Sequence, residues 1–336
     1  MKRRLAIVTD DKGYAEHLSG YLSERFAENF EVAVFSKAER FEEALKSAPF
    51  DVALLDIGFE LIEVKNTVRV PLVLAQEGKQ VAEEAQNIKQ IRKYQRISLM
   101  VGDILEALSK IPHAAGGISI ESGNITVVWS PSGGTGKTSV ALAYAMNRAA
   151  MHKRAVYLNL ENFASTPAYF RTDGKSISKA FESLDSEESN LRLLMVGLRQ
   201  QDTSTGIYYF SEPENYDDMN ILSPDNIEAL VFACAAEADE LVVDLSSQYN
   251  SCTRRLFELA NSVFIVTDSS LAAQVKLKQF IGQHSAFEQI RLNAKLVCNK
   301  GAHVSEAEIS KTVYLNRVQS SEPKTVVKTL AGYKFE

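Results

Sequence analysis

The residues with the strongest claim to chemistry are Pro131-Ser132-Gly133-Gly134-Thr135-Gly136-Lys137-Thr138-Ser139. They follow the apolar run NITVVWS (124–130) and open a helical pattern that begins near Lys137. Closely spaced glycines let successive backbone N–H groups turn inward as an anion nest, and a helix N-terminus adds partial positive charge at the same place. Lys137 then reaches the β- and γ-phosphates of a nucleotide, and the Thr138 hydroxyl ligates Mg²⁺. A strict motif of this kind has glycine at its first position, where this chain has Pro131; the strand before the loop and the helix after it carry the reading.

The elements around this loop must hold it at the edge of a sheet. Beyond it, RAVYLNL (154–160), GIYYFS (206–211), ELVVDLS (240–246), SVFIVTD (262–268) and AKLVCN (294–299) read as buried strands, with helices over 227–238 and 270–282. Asp244 ends the run Leu241-Val242-Val243, the place where open α/β sheets bind their ligands. The first half alternates in the same way. Strands are predicted over 4–10, 31–36, 51–57, 70–76 and near 91–94, with helices on the Tyr14-Leu18-Leu22-Phe26 spacing, over 41–48 and over 97–110. Short strands alternating with helices imply parallel sheets covered on both faces.

The fold class is therefore α/β, with two doubly wound parallel-sheet domains. Pro112, Gly116, Gly117 and Gly123 cluster between the halves, which places domain one at 1–110, a linker at 111–123 and domain two at 124–336. At 336 residues the chain is long enough for two cores. With 37 Lys+Arg against 43 Asp+Glu, no general field draws it onto nucleic acid or anionic lipid. The near balance conceals an acidic stretch, 9 acids against 2 bases over 181–218, and a basic one, 8 bases against 4 acids over 291–336. Both read as solvated faces. The short apolar run after MetLysArgArg is no signal peptide, and no stretch approaches the ~20 apolar residues that span a bilayer. Cys234, Cys252 and Cys298 are too few and too scattered for a disulfide framework or a four-cysteine metal site, so the expectation is a cytoplasmic chain with reduced thiols.

The loop resembles that of the deviant Walker A ATPases of the MinD/ParA group, written K-G-G-x-G-K-[ST]. Ser132 to Thr138 match at every place but the first, where Ser132 replaces the lysine that in the family reaches across a dimer to the partner's nucleotide. The resemblance implies ATP and Mg²⁺ as cofactors, with Gly133, Gly134, Thr135, Gly136, Lys137, Thr138 and Ser139 binding the nucleotide and Thr138 and Asp244 serving the metal. It implies catalytic roles for Lys137, Glu161 and Asp244. Glu161, in Asn159-Leu160-Glu161, matches the acid that positions water, with uncharged Asn159 in place of the family's other acid. Asn299, in Val297-Cys298-Asn299-Lys300, matches the residue that reads the adenine edge.

The first half resembles a response-regulator receiver, which implies a candidate phosphoacceptor site of Asp10, Asp56 and Lys93. Thr9 replaces one metal-binding acid, Gln76 the switch hydroxyl residue, and Tyr94 the usual proline, so a degenerate receiver used for docking or dimerisation is expected. A receiver fused ahead of a MinD/ParA-like ATPase is similar to the TadZ/CpaE proteins of Tad (Flp) pilus assembly. That resemblance implies a cytoplasmic, ATP-binding homodimer that gathers at a cell pole and recruits pilus secretion machinery. With Ser132 and Asn159 in place, slow or absent hydrolysis is expected. The alternative is a response regulator whose phosphorylated Asp56 controls an ATPase output. The tail TVVKTLAGYKFE is too short and weakly amphipathic for a membrane-targeting helix.

Overall fold

The computed structural model describes residues 2–335 apart from 28, 60–63, 65–66, 111–122, 185–189, 305 and 307. The chain forms two compact units, Met1–Ala114 with Glu188–Gly197, and Ala115–Glu187 with Leu198–Glu336.

The first unit contains β1 (Arg3–Val8), α1 (Lys12–Arg25), β2 (Phe30–Phe35), α2 (Ala38–Ser47), β3 (Phe50–Asp56), β4 (Val68–Ala75), β5 (Gln90–Arg92) and α3 (Ile97–Ser109). Its strands run parallel in the order β2-β1-β3-β4-β5. The apolar runs are nearly continuous because both faces of the sheet are covered. Leu5, Ile7, Val52, Leu54, Leu72 and Leu74 pack with Leu18 and Leu22 of α1 and with Ile104 and Leu108 of α3. The alternate residues Ala6, Val8, Ala53 and Leu55 pack with Phe41 and Leu45 of α2. Asp11 starts α1 by accepting a hydrogen bond from Tyr14 N at 3.0 Å, as a helix cap does.

The remaining elements are β6 (Asn124–Trp129), α4 (Lys137–Ala150), β7 (Ala155–Leu160), α5 (Ser178–Ser183), α6 (Leu191–Leu198), β8 (Gln200–Gln201), β9 (Tyr208–Tyr209), α7 (Pro224–Ala235), β10 (Glu240–Leu245), α8 (Ser251–Leu259), β11 (Ser262–Thr267), α9 (Leu271–Ile281), α10 (His284–Phe287), β12 (Ala294–Cys298), β13 (Thr312–Tyr314) and α11 (Pro323–Leu330). The second sheet has the order β13-β12-β11-β6-β10-β7-β9-β8. All its pairings are parallel except β8 with β9. Both predicted α/β sheets are present, the second with an antiparallel edge.

On one face of the second sheet, Val128, Tyr157, Val242, Phe264 and Val297 meet Val140 and Tyr144 of α4, Val327 and Leu330 of α11, and Phe335. The Phe335 ring stacks on Phe264 with centroids 6.1 Å apart, and its carbonyl accepts a hydrogen bond from Lys295 Nζ at 2.8 Å. The C-terminal segment thus spends its apolar face inside the unit. On the other face Trp129 packs edge-on to Phe257 and tilted against Phe280. Among the described residues no helix is long and apolar enough to cross a membrane.

Three differences from the expected elements have local causes. Of 206–211 only Tyr208–Tyr209 forms a strand, held between β7 and the short β8. Helix α6 lies within the acidic stretch, and its Leu193 and Val196 join the first unit's core, so that unit takes in a segment from the second half of the sequence. Of the expected linker 111–123, residues 111–122 lie outside the described residues, and Gly123 N donates to Ala235 O at 2.9 Å within the second unit.

Candidate functional site

β6 ends at Trp129, and the chain turns through Ser130–Gly136 into α4. Ser130 Oγ accepts a hydrogen bond from Ser132 N at 3.1 Å and fixes the entry to the turn. Gly134 (φ +74°) and Gly136 (φ +91°) lie in the left-handed region that a Cβ disfavours, and at Gly136 a Cβ would also collide with the Asn299 amide. Lys137 is buried at the start of α4, where Nζ donates to Ser247 Oγ at 3.0 Å. Ser139 reaches the Tyr169 hydroxyl. Ser132 is buried, its Oγ 3.5 Å from Gly133 O, and brings no cation to the loop. Thr135 Oγ1 is buried with no hydrogen-bond partner among the described residues.

Asp244 sits beneath this loop near the end of β10 and is fully buried. Its Oδ2 accepts from Tyr157 OH at 2.8 Å and from Asn159 Nδ2 at 3.4 Å. Its Oδ1 is buried and makes no hydrogen bond of ordinary geometry. Burial, then the nearby Glu161 charge, pushes the Asp244 carboxyl up to about 7, while the Thr138 hydroxyl, Tyr157 and Lys137 hold it down. Glu161, just past β7, is also raised by burial, against the Lys137 charge and the Asn159 amide. Asn159 stands between the two acids: its Nδ2 lies 3.5 Å from Glu161 Oε2, and its Oδ1 accepts from Glu161 N at 2.8 Å. An unmatched carboxylate oxygen with the Thr138 hydroxyl nearby is a donor set that fits a divalent cation, which usually completes its shell with water and phosphate oxygens.

The first unit gathers a second cluster at the C-terminal edge of its sheet. Asp56 and Lys93 are both 2% exposed. Asp56 Oδ2 accepts from Lys93 Nζ at 2.6 Å and from Thr9 Oγ1 at 2.5 Å, and Oδ1 accepts from Ile57 N at 2.9 Å and from Gln76 Nε2 at 3.3 Å. Lys93 Nζ also meets Asp11 Oδ2 at 3.2 Å, which in turn accepts from Tyr94 OH at 2.9 Å. Burial works against the Lys93 charge, but the hydrogen bond and charge of Asp56 outweigh it, leaving this ammonium above its ordinary value.

Residues 1–109 match the family model of the TadZ-like receiver domain. The second half is similar in fold to the ParA family ATPase of Chlorobium tepidum TLS, with a TM-score of 0.51 at 15% identity, over 62% of this chain and 90% of that one. Residues 1–109 are thus similar to a TadZ-like receiver domain, and the other unit is similar in fold to a ParA ATPase. Also similar are the cell division ATPase MinD of Pyrococcus furiosus (TM-score 0.47, 14% identity, 62% and 97% covered) and the septum site-determining protein MinD complexed with Mg-ADP from Pyrococcus horikoshii OT3 (TM-score 0.47, 10% identity, 62% and 94% covered). No curated protein matches the chain.

In the TadZ-like receiver the expected trio is only partly assembled. Asp56 and Lys93 meet, whereas Asp10 is exposed and Asp11 takes the place beside Lys93. The cap of α1 was the available signal, since it fixes which of the two acids faces the cluster. In the ParA-like unit the structure brings Lys137, Thr138, Glu161 and Asp244 near one another. Asn299 Nδ2 donates to Thr135 O at 2.9 Å and its Oδ1 accepts from Lys300 N at 2.8 Å, so its amide braces the glycine loop. Lys300 is the residue that sequence reasoning passed over. Its Nζ donates to Gly134 O at 2.5 Å and meets Asp268 Oδ2 at 3.0 Å.

Proposed function

We propose that the ParA-like unit binds ATP with Mg²⁺ and that nucleotide holds two copies together as a scaffold for Tad (Flp) pilus assembly, with slow or absent hydrolysis. The buried, unmatched Asp244 Oδ1 beneath a glycine loop and Lys137 carries this reading, because a buried acceptor without a donor is costly unless a guest satisfies it. The loop N–H groups and Lys137 would hold the phosphates. Thr138 and Asp244 would hold Mg²⁺, which supplies charge neutralisation at the phosphates when bound. Glu161 would orient water. Ser132 offers no cation to a partner's nucleotide, and Asn159 offers no second acid, which supports weak turnover.

An exposed apolar patch supports pairing of copies. Phe163 and Tyr216, 82% and 56% exposed, stack with centroids 6.0 Å apart, two residues beyond Glu161 in the case of Phe163. The match to a TadZ-like receiver domain supports a docking role, for which the pilus secretion machinery at a cell pole is the proposed partner. Phosphorylation at Asp56, the alternative, has against it four donors already committed to that carboxylate. Sedimentation with and without Mg-ATP, beside a single-turnover hydrolysis assay, tests the proposal. The expected result is an ATP-dependent dimer with slow turnover; a monomer that hydrolyses ATP rapidly contradicts it.

A further inference from the structure

We infer that Lys300, with Asn299, is a positioning clamp that turns the backbone amides of the glycine loop toward their anion. The inference rests on the reading of this loop as a phosphate site.

A trans peptide is planar, with its C=O and N–H pointing in opposite directions. Lys300 Nζ holds Gly134 O from outside the loop at 2.5 Å, which aims Thr135 N–H the other way. Asn299 Nδ2 holds Thr135 O at 2.9 Å, which does the same for Gly136 N–H. Two successive peptide planes are thus fixed from the end of β12. Both flank residues in the left-handed region, where glycine has many competing conformations and loses the most entropy on ordering.

The clamp is itself anchored. Lys300 Nζ also meets Asp268 Oδ2 at 3.0 Å, and Asp268 Oδ1 accepts from Ser270 N at 3.0 Å and Ser270 Oγ at 2.6 Å at the start of α9. Asn299 N donates to Thr267 O at 2.8 Å, tying the same corner to β11. Lys300 has φ +57°, an uncommon conformation for a residue with a side chain. Such conformations persist where the surroundings over-determine them and often accompany functional geometry. The side chain is 43% exposed, so the clamp reaches its carbonyl from the rim of the loop.

The test compares wild type, Lys300→Met, Lys300→Arg and Lys137→Ala, titrated with a non-hydrolysable ATP analogue plus Mg²⁺ and with pyrophosphate, while Thr135 and Gly136 amide resonances are followed in ¹⁵N-labelled protein. Lys300→Met is expected to bind both ligands about tenfold more weakly, with melting temperature nearly unchanged. The two amide signals should then fail to take the wild-type bound positions. Lys300→Arg should recover affinity to within about threefold, since a guanidinium donates to the same carbonyl. Wild-type affinity and wild-type amide shifts in Lys300→Met overturn the clamp while leaving the phosphate site intact. A wild type that binds neither ligand, or a Lys137→Ala that binds as wild type does, overturns the reading of the site itself. If Lys300→Met proves unstable, Asp268→Asn loosens the clamp from behind: about threefold weaker pyrophosphate binding supports it, and unchanged binding overturns it.

Discussion

Asp56 ends β3 of one unit and Asp244 lies next to the end of β10 of the other, each on a strand with parallel neighbours, and each is buried with lysine charge nearby. Asp56 accepts hydrogen bonds from Thr9, Lys93, Gln76 and its neighbour's amide. Asp244 Oδ1 makes no hydrogen bond of ordinary geometry among the described residues, although the Thr138 hydroxyl is near, and the nearby lysine, Lys137, donates instead to Ser247. The same sheet edge is used in opposite ways. A carboxylate whose lone pairs are matched internally stabilises its own fold and offers little to a phosphoryl group or metal. One left unmatched, at a cost of about 1–3 kcal/mol, is built for something that arrives.

The largest effect should come from breaking the matched site. Asp56→Ala leaves Lys93 buried with only Asp11 as a charged partner, and thermal or urea unfolding should show a loss of about 3 kcal/mol. A change below about 1 kcal/mol would make the receiver cluster as expendable as an open site. Next, Asp244→Asn should weaken Mg²⁺-nucleotide binding about thirtyfold while leaving Mg²⁺-free binding within about threefold, as read by calorimetry with and without EDTA.

A pH series sharpens the same contrast. Asp244, raised to about 7 mainly by burial, keeps its proton in the folded chain where an unfolded carboxylate has lost it above about pH 4. The folded state then binds more protons, so the Asp244 contribution to ligand-free stability falls as pH rises from about 4 to 7. Magnesium needs the charged form, so affinity for the Mg²⁺-nucleotide should rise about tenfold between pH 6 and pH 8. Asp244→Asn should flatten both trends. A smaller effect is expected at the surface: Phe163→Glu should weaken the ATP-dependent dimer by about tenfold or less in sedimentation, with monomer stability unchanged. The smallest is none at all, with acetyl phosphate leaving no label on Asp56.

Much of this was legible in the sequence because strands buried on both faces are written as unbroken apolar runs, and a glycine loop between a strand and a helix has few other uses. Asp56 and Lys93 were singled out together by the resemblance to a receiver, and the structure places them in contact. What escaped the sequence depends on register and on long-range partners. One residue decides whether Asp10 or Asp11 faces Lys93, and the cap of α1 makes that choice. Helix α6 joins the first unit through Leu193 and Val196, which carry no local mark of their destination. Lys300 is 166 residues from the carbonyl it holds, a separation that no motif spacing encodes.

The proposed guest of the open site is Mg²⁺-nucleotide, held by the glycine loop and Lys137. Calorimetric titration of a non-hydrolysable ATP analogue with Mg²⁺ into wild type and Lys137→Ala tests it most directly. One site per chain in the wild type, weakened about hundredfold in the variant, is the predicted result. Equal affinity in the two proteins, or no binding to the wild type, would contradict it.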